Sequence, residues 1–129
     1  MKTIRQTATI RGATPHDVYE SLLDSKRHGK LIGDRAKIGR RPGEAWSAYG
    51  AGLSGEQIAL TKDKCIVQSW RESDWPKGVH SRATFSLART KGGTRITFRQ
   101  SGVPDRHYRS ISSGWHEYYW EPLKKQFAR

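Results

Sequence analysis

The sequence predicts an α+β fold in which a curved antiparallel sheet of about six to seven strands surrounds a long C-terminal helix, with two short helices after the first strand. The main observation is the segment GWHEYYWEPLKKQF at residues 114–127, which concentrates aromatic side chains near the end of the chain. On a helical wheel its apolar arc is about 200° wide, well beyond the stripe of a helix that lies on a flat core. Such a helix needs a concave partner, and a bent sheet supplies one.

The wheel separates this helix into an apolar arc and a charged sector. The arc contains Ile111, Trp115, Tyr118, Tyr119, Trp120, Pro122, Leu123 and Phe127. His116 also falls inside the arc, between Leu123 and Phe127. The charged sector includes Glu121 and Lys125, which have the favourable i, i+4 spacing.

The N-terminal part of the chain predicts one strand followed by two short helices. The segment TIRQTATIRG alternates apolar and polar side chains from Ile4 to Ile10, which is typical of a half-buried strand. In ATPHDVYESLLDS, Thr14 has the features of an N-cap, with Pro15 at the first helical position and Asp17 in the first turn. The next segment, KRHGKLIGD, predicts a second short helix broken by glycine.

The middle of the chain predicts the remaining strands. AKIGRR, a turn at Pro42-Gly43 and EAWSAYGAGLSGEQIALT are followed by the β-like runs KCIVQSWRES, HSRATFSLART and TRITFRQSG. A tight hairpin is expected at residues 91–93, and VPDRHYRS begins the terminal helix. Short connections between consecutive strands imply an antiparallel meander. The glycines of YGAGLSG would let a strand bend or bulge around the helix.

Length and composition predict a single domain over residues 1–129 that is soluble and cytoplasmic. Hydrophobic residues make up 34% of the chain, and the 10% that are aromatic bury a large area each. No run approaches the ~20 apolar residues of a membrane span, and the N-terminus MKTIRQTATI lacks a signal-peptide core. The single cysteine, Cys65, excludes an internal disulfide and a cysteine-only metal cluster.

The charge of the chain favours an acidic partner. The formal net charge is +12 and the isoelectric point is about 10.3. Basic residues are dense between residues 26 and 41, where Asp34 is the one acid. The candidate partner-binding residues are Lys26, Arg27, Lys30, Arg35, Lys37, Arg40 and Arg41. The same run could instead be an ordinary solvated face, and both interpretations stay open.

Five segments together resemble a known family: GATPHDVYESLLDSKRHGKLIG, RPGEAWSAYGAGLSGEQIAL, KCIVQSWRESDWPKGVHSRATFSL, GGTRITFRQSGVP and GWHEYYWEPLKKQF. In this order they resemble the activators of the 90-kDa heat-shock-protein ATPase, in particular the C-terminal domain of these proteins and its stand-alone homologues. The resemblance covers nearly the entire chain, and IVQSWR, DWP and GW-x-x-YYW-x-PLK are its most specific parts. The family belongs to the helix-grip superfamily of START (SRPBCC) domains and birch-pollen-allergen-like proteins.

The resemblance implies an apolar cavity between the curved sheet and the C-terminal helix. Many members of the superfamily bind lipids, sterols or polyketides there, so the leading hypothesis is non-catalytic binding of a small apolar or amphipathic molecule. The eukaryotic activators stimulate the chaperone's ATPase and also carry an N-terminal chaperone-binding domain. Since this chain begins at the homologous domain, the alternative is a co-chaperone-like interaction module without the full activity.

The candidate ligand-binding residues are aromatic side chains that a sheet and a helix could place around one apolar site. They are Trp46, Trp70, Phe85, Phe98, Trp115 and Tyr119, together with His116, a polar group that could orient a ligand or exchange a proton near neutral pH. The alternative is that these rings fill the core and leave no cavity. His116 could likewise be satisfied by a nearby carbonyl group.

Strand alternation gives the expected direction of some of these side chains. Phe85 and Leu87 share one strand face, and Ile96 and Phe98 share one on the next strand, so both pairs are expected to point inward. The alternation does not fix the face of Trp70. Gln100 and Arg71, at strand ends, are weaker candidates for polar groups at a cavity mouth.

Metal binding and covalent catalysis lack support in the sequence. The histidines are scattered, without an H-E-x-x-H motif or a close cysteine–histidine pair, so neither a metal nor another cofactor is expected. Cys65 lies at the start of an apolar strand, where a packed thiol is expected. A cyclase-like or hydrolase-like enzyme is a third hypothesis, but no acid–base pair is visible. Nucleic-acid binding is disfavoured because the aromatics are placed for burial and no recognition motif occurs.

Overall fold

The computed structural model describes residues 1–128 and contains a seven-stranded antiparallel sheet that curves around a C-terminal helix. The strands are β1 (Lys2–Arg11), β2 (Ala36–Ile38), β3 (Ala45–Ala48), β4 (Leu53–Thr61), β5 (Cys65–Glu72), β6 (Ser81–Thr90) and β7 (Gly93–Val103). Two helices, α1 (Pro15–Leu23) and α2 (Ser25–Ile32), connect β1 to β2. The order across the sheet is β1-β7-β6-β5-β4-β3-β2. This architecture confirms the predicted fold class.

Local signals in the sequence set the bounds of the two short helices. The Thr14 hydroxyl accepts a hydrogen bond from the Asp17 N–H at 3.0 Å, and the Asp17 carboxylate accepts one from the Thr14 N–H at 2.9 Å. Thr14 is therefore the N-cap of α1, as the sequence predicts, and Asp17 completes a reciprocal capping box with it. Helix α2 runs through Gly29 without a break and ends at Gly33, whose φ of 71° is in the left-handed region.

The first four residues of the glycine-rich segment YGAGLSG form a hairpin turn, and the expected bend within one strand is wrong. Strand β3 ends at Ala48 and β4 begins at Leu53, and Tyr49 and Gly50 have left-handed φ values of 55° and 67°. The chain therefore reverses, and β3 and β4 pair as antiparallel neighbours. The irregularity of β4 lies further along, where the register with β5 shifts between Gln57 and Ala59.

The inner face of the sheet carries the apolar core. Phe85, Leu87, Ile96 and Phe98 are all buried, which confirms their predicted inward direction. Trp70, whose face the alternation left undetermined, also points inward and is 4% exposed. Most outward positions on β6 and β7 are polar, so the sheet separates the core from solvent by simple alternation.

The C-terminal helix (residues 108–127) is α-helical at both ends and π-helical in the middle. Helix α3 (Tyr108–Trp115) leads into a π-helical turn at His116–Trp120, and α4 (Glu121–Phe127) follows. The Glu121 N–H donates to the His116 carbonyl, which is the i→i+5 bond of a π-helix. Such a turn accommodates one extra residue, so every later side chain rotates by about 100° relative to a regular α-helix.

This rotation corrects the predicted helical wheel. Trp115 and Trp120 would lie about 140° apart on a regular α-helix, but their rings are stacked with centroids 5.5 Å apart and an interplanar angle of 20°. The buried stripe consists of Ile111, Trp115, Tyr119, Trp120 and Leu123. His116 and Tyr118, which the wheel placed in the apolar arc, are exposed. The stripe is thus narrower than predicted, and the helix exposes one whole side to solvent.

Candidate functional site

Two hydrogen bonds from indole groups to glutamines join the C-terminal helix to the sheet. The Trp115 Nε1–H donates to Gln100 Oε1 on β7 at 2.7 Å, and the Trp120 Nε1–H donates to Gln6 Oε1 on β1 at 2.7 Å. The Gln100 amide in turn donates to Ser81 Oγ at 2.9 Å. Buried polar groups are stabilising when every one of them is paired, as these are. The helix is therefore held at defined positions on two neighbouring strands.

The two weaker candidates for a cavity mouth lie elsewhere. Gln100 is fully buried beneath the helix and is part of the network just described. Arg71 donates to the backbone carbonyls of Val79 and Trp75, and so it holds the loop between β5 and β6. Both side chains use their hydrogen-bonding groups within the fold.

A cleft of about 350 Å³ lies between the C-terminal helix and the β4–β5 part of the sheet. Its wall is formed by Tyr49, Gly52, Leu53, Trp70, Glu72, Ser110, Ile111, Gly114, Trp115, Tyr118 and Tyr119. Most of this lining is apolar, and the polar side chains are hydroxyl groups and one carboxylate. The volume lies at the lower end of the range of about 300–1,000 Å³ that is usual for small-molecule sites.

Three of the seven predicted ligand-binding residues line this cleft: Trp70, Trp115 and Tyr119. Phe85 and Phe98 do not. Their ring centroids lie 5.6 and 4.4 Å from that of Trp115, and both side chains are buried in the core beneath the cleft. These two rings therefore follow the alternative expectation, in which aromatic side chains fill the core.

Trp46 and His116 lie away from the cleft. Trp46 lies on β3, and its Nε1–H donates to the backbone carbonyl of Ser69 on β5 at 2.9 Å. Strand β4 passes closely here at Gly55, where a Cβ would overlap the Ser69 carbonyl oxygen, so glycine is required. His116 is exposed on the π-helical turn. Its predicted place inside the apolar arc is wrong because the wheel assumed a constant rotation per residue.

Tyr49 is a cleft residue that the sequence did not reveal. Its hydroxyl is buried and has no hydrogen-bond partner among residues 1–128, and burial raises the pKa of Tyr49 to about 12. Its ring packs edge-on against that of Tyr118, with centroids 6.0 Å apart. An unpaired buried hydroxyl costs free energy, which a polar atom in the cleft would recover. Sequence patterns do not identify Tyr49 as a cleft residue because a tight turn before β4, in which its φ is left-handed, brings it there.

Tyr119 links the cleft to a buried histidine on α2. His28 Nδ1 lies 2.8 Å from the Leu22 carbonyl, and His28 Nε2 lies 2.8 Å from the Tyr119 hydroxyl. Because a carbonyl oxygen only accepts, Nδ1 carries the proton and the Tyr119 hydroxyl donates to Nε2. Burial lowers the pKa of His28 and raises that of Tyr119. Both side chains are therefore neutral near pH 7.

The predicted partner-binding residues are all exposed, and acidic side chains lie near the two ends of the run. Arg40 Nη2 donates to Glu20 Oε2 at 2.7 Å, and this hydrogen bond raises the pKa of Arg40. Glu44 accepts the backbone N–H groups of Arg40 and Arg41. Asp24 caps the first turn of α2. Arg40 is the one member of this set that forms an ion pair within residues 1–128, and the other six cations are exposed without one.

No group of three or more His, Cys, Asp and Glu side chains within residues 1–128 is arranged to hold a metal ion. In the same part of the chain, none of the helices combines the length and the apolar character that crossing a membrane requires. The thiol of Cys65 is half-buried and free.

A curved antiparallel sheet that grips a C-terminal helix, with an apolar cleft between the two, defines a helix-grip domain. The family model for "Activator of Hsp90 ATPase homolog 1-like protein" matches residues 12–128. The chain belongs to this family.

The curated relatives are considerably longer than this chain. An uncharacterized protein from Schizosaccharomyces pombe is 28% identical over 116 residues, which cover 90% of this chain and 34% of that protein. Activator of 90 kDa heat shock protein ATPase homolog 1 from Homo sapiens is 32% identical over 76 residues, which cover 59% of this chain and 22% of that protein. The chain spans about a third or less of the length of these relatives.

Solved structures of similar size share the fold. The crystal structure of an HSP90 activator from Plasmodium falciparum superposes with a TM-score of 0.90 at 18% identity, covering 98% of this chain and 96% of that chain. The solution structure of the Aha1 dimer from Colwellia psychrerythraea gives a TM-score of 0.83 at 17% identity, with 98% and 96% covered. At these identities the likeness shows a common fold.

Protonation of His28 is expected to destabilise the protein. Its pKa in the folded state is below the ordinary 6.5, so the unfolded chain binds this proton more readily. The contribution of His28 to the free energy of unfolding is complete above pH 6.5 and is lost as the pH falls through the folded-state pKa. The loss amounts to about 1.4 kcal/mol for each unit between the two pKa values. Urea unfolding between about pH 5 and pH 7.5 measures it.

The matched comparison uses His28→Gln and His116→Gln. The first substitution is expected to remove this part of the pH dependence, whereas the second, at an exposed position, keeps the wild-type slope. An unchanged slope in His28→Gln would show that the buried pair does not couple folding to pH.

Proposed function

We propose that the chain is a co-chaperone-like interaction module that acts on an ATP-hydrolysing chaperone of the 90-kDa heat-shock-protein type. The observation that carries this proposal is the family match over residues 12–128. The likeness to an HSP90 activator from Plasmodium falciparum, which extends over nearly all of both chains, adds support. The proposal treats residues 1–129 as one helix-grip domain that contacts its partner as a unit.

Charge supports a protein partner with an acidic surface. The net charge of +12 would accelerate the encounter with such a surface, and the effect would weaken as salt screens it. Among the residues predicted to bind a partner, Lys26, Arg27 and Lys30 project from α2 into solvent. They are available for contact without any rearrangement of the core.

Addition of this protein to the host's 90-kDa chaperone is expected to raise the chaperone's ATPase rate in a saturable way at low ionic strength. The rise is expected to decrease at higher salt because exposed charges are screened over about 8–10 Å at physiological ionic strength. A steady-state ATPase assay measures both effects, with a basic protein of similar size as the control. No change in rate and no complex at low salt would remove the proposal.

The cleft favours a second function, the non-catalytic binding of a small apolar or amphipathic molecule. Its aromatic wall includes Trp70, Trp115 and Tyr119, and the unpaired Tyr49 hydroxyl could bond to a polar group of the ligand. Burial of apolar ligand surface contributes about 25 cal/mol per Å² before the costs of ordering. In this proposal Tyr49 takes the orienting role that the sequence assigned to His116.

Gly114 allows the cleft to be filled without disturbing the core. A Cβ at this position would lie 3.6 Å from the Tyr118 ring, which is an ordinary contact. Gly114→Leu is therefore expected to fold and to weaken binding of a fluorescent fatty-acid or polyaromatic probe by at least about tenfold, since its side chain occupies the cleft. Gly114→Ala is expected to bind nearly as the wild type does and to gain about 0.5–1 kcal/mol of stability.

Probe fluorescence titration measures the binding, and urea unfolding measures the stability. The ligand proposal fails if the wild-type protein shows no saturable probe binding, or if the leucine variant binds the probe as tightly as the alanine variant.

A further inference from the structure

The outer face of strands β1, β6 and β7 carries five exposed arginines, which we call the arginine face. Its members are Arg5 and Arg11 on β1, Arg82 on β6, and Arg95 and Arg99 on β7. Each directly follows a buried residue of its strand, so all five side chains project away from the C-terminal helix. None of these three strands contains an aspartate or a glutamate.

The strand register brings three of the arginines together. Arg5 lies directly opposite Arg99, and Arg82 lies opposite Ser101, two residues along β7 from Arg99. Like charges directly opposite one another destabilise a sheet. None of the five arginines forms an ion pair within residues 1–128. The positive charge of this face is therefore not compensated by the described part of the chain.

The arginine face differs from the basic run of residues 26–41 in having no acid on its own elements. In the basic run Glu20 pairs with Arg40, Asp34 lies within the run, and Glu44 and Asp24 lie in the adjoining turns. The arginine face thus places five positive charges on three strands without an acidic residue, a cluster that a sequence scan for dense basic segments does not find.

We propose that the arginine face docks an extended acidic segment of a protein partner. The inference deepens the proposed co-chaperone function and rests on it for the choice of a protein as the occupant. A guanidinium group holds a carboxylate through two parallel hydrogen bonds, and each of the five side chains of the arginine face carries one such group. Carboxylates placed between Arg5 and Arg99 would also remove the repulsion across that pair.

The spacing of the face matches such a segment. From the position of Arg82, opposite Ser101, to that of Arg11, opposite Gly93, the sheet extends over eight residues of β7, or about 27 Å. An extended segment of eight or nine residues has about this length, and its alternate side chains repeat at about 6.8 Å, as the rows of the sheet do. Thr97, in the row between Arg95 and Arg99, adds a hydroxyl donor.

Nucleic acid fits the same face less well. The two aromatic residues of these strands, Phe85 and Phe98, are buried, so no ring on the face could stack on bases. The strands also present no helix that could enter a groove. Contacts to nucleic acid would be limited to phosphates. An acidic peptide would match both the positive charge of the face and the regular spacing of its side-chain rows.

Fluorescence anisotropy with a labelled peptide of alternating glutamate and serine, about twelve residues long, tests the proposal at about 50 mM salt. Arg5→Gln combined with Arg99→Gln is expected to weaken peptide binding by at least about tenfold. Lys62→Gln combined with Lys64→Gln removes the same charge from the exposed turn between β4 and β5 and is expected to change it less than about twofold. The arginine variant is also expected to melt no lower than the wild type, since a like-charge pair is removed.

Equal weakening in the two double variants would overturn the proposal, since net charge alone would then explain binding. A labelled DNA duplex of about twelve base pairs that binds more tightly than the peptide, and whose binding is lost in the arginine variant, would overturn it in favour of nucleic acid.

In the chaperone ATPase assay, undiminished stimulation by the arginine variant would refute this docking surface while the proposed function stands. If the wild-type protein fails to stimulate, the proposed function fails and the peptide titration alone decides the arginine face.

Discussion

The π-helical turn at His116–Trp120 is the constraint on which the rest of the structure depends. It brings Trp115 and Trp120 to the same side of the C-terminal helix, where their indole N–H groups reach Gln100 and Gln6 on two neighbouring strands. In a regular α-helix only one of the two rings could face the sheet. The extra residue thus converts two tryptophans that would point in different directions into a stacked pair buried at the centre of the fold.

The cleft and the buried histidine pair follow from this arrangement. Because the sheet-facing stripe is occupied by Trp115 and Trp120, Tyr119 turns sideways toward α2 and donates its hydroxyl to His28. The space left between the helix and the β4–β5 region is the cleft, and Trp115 forms part of its wall. The arginine face lies on the opposite side of the same sheet, so a small ligand and a protein partner could bind at once without competing.

Much of the fold was predictable because its signals are local. The alternation in β1 and the Thr14 N-cap of α1 are both visible in the sequence, and both are found in the structure. His116 was misplaced because a helical wheel assumes one rotation per residue, which a π-helical turn violates. Tyr49 and the arginine face could not be recognised, since the first depends on a tight turn and the second on the register of strands far apart in sequence.

Deletion of His116 tests the central claim most directly. Without this extra residue the turn is expected to become α-helical, with Trp115 and Trp120 four positions apart and still on one side of the helix. Insertion of an alanine between His116 and Glu117 instead is expected to rotate Trp120 and Leu123 by about 100° out of the core and to cost about 3 kcal/mol or more in urea unfolding, as for removal of a large core side chain. The account predicts that the deletion costs clearly less than the insertion, and a deletion as costly as the insertion would contradict it.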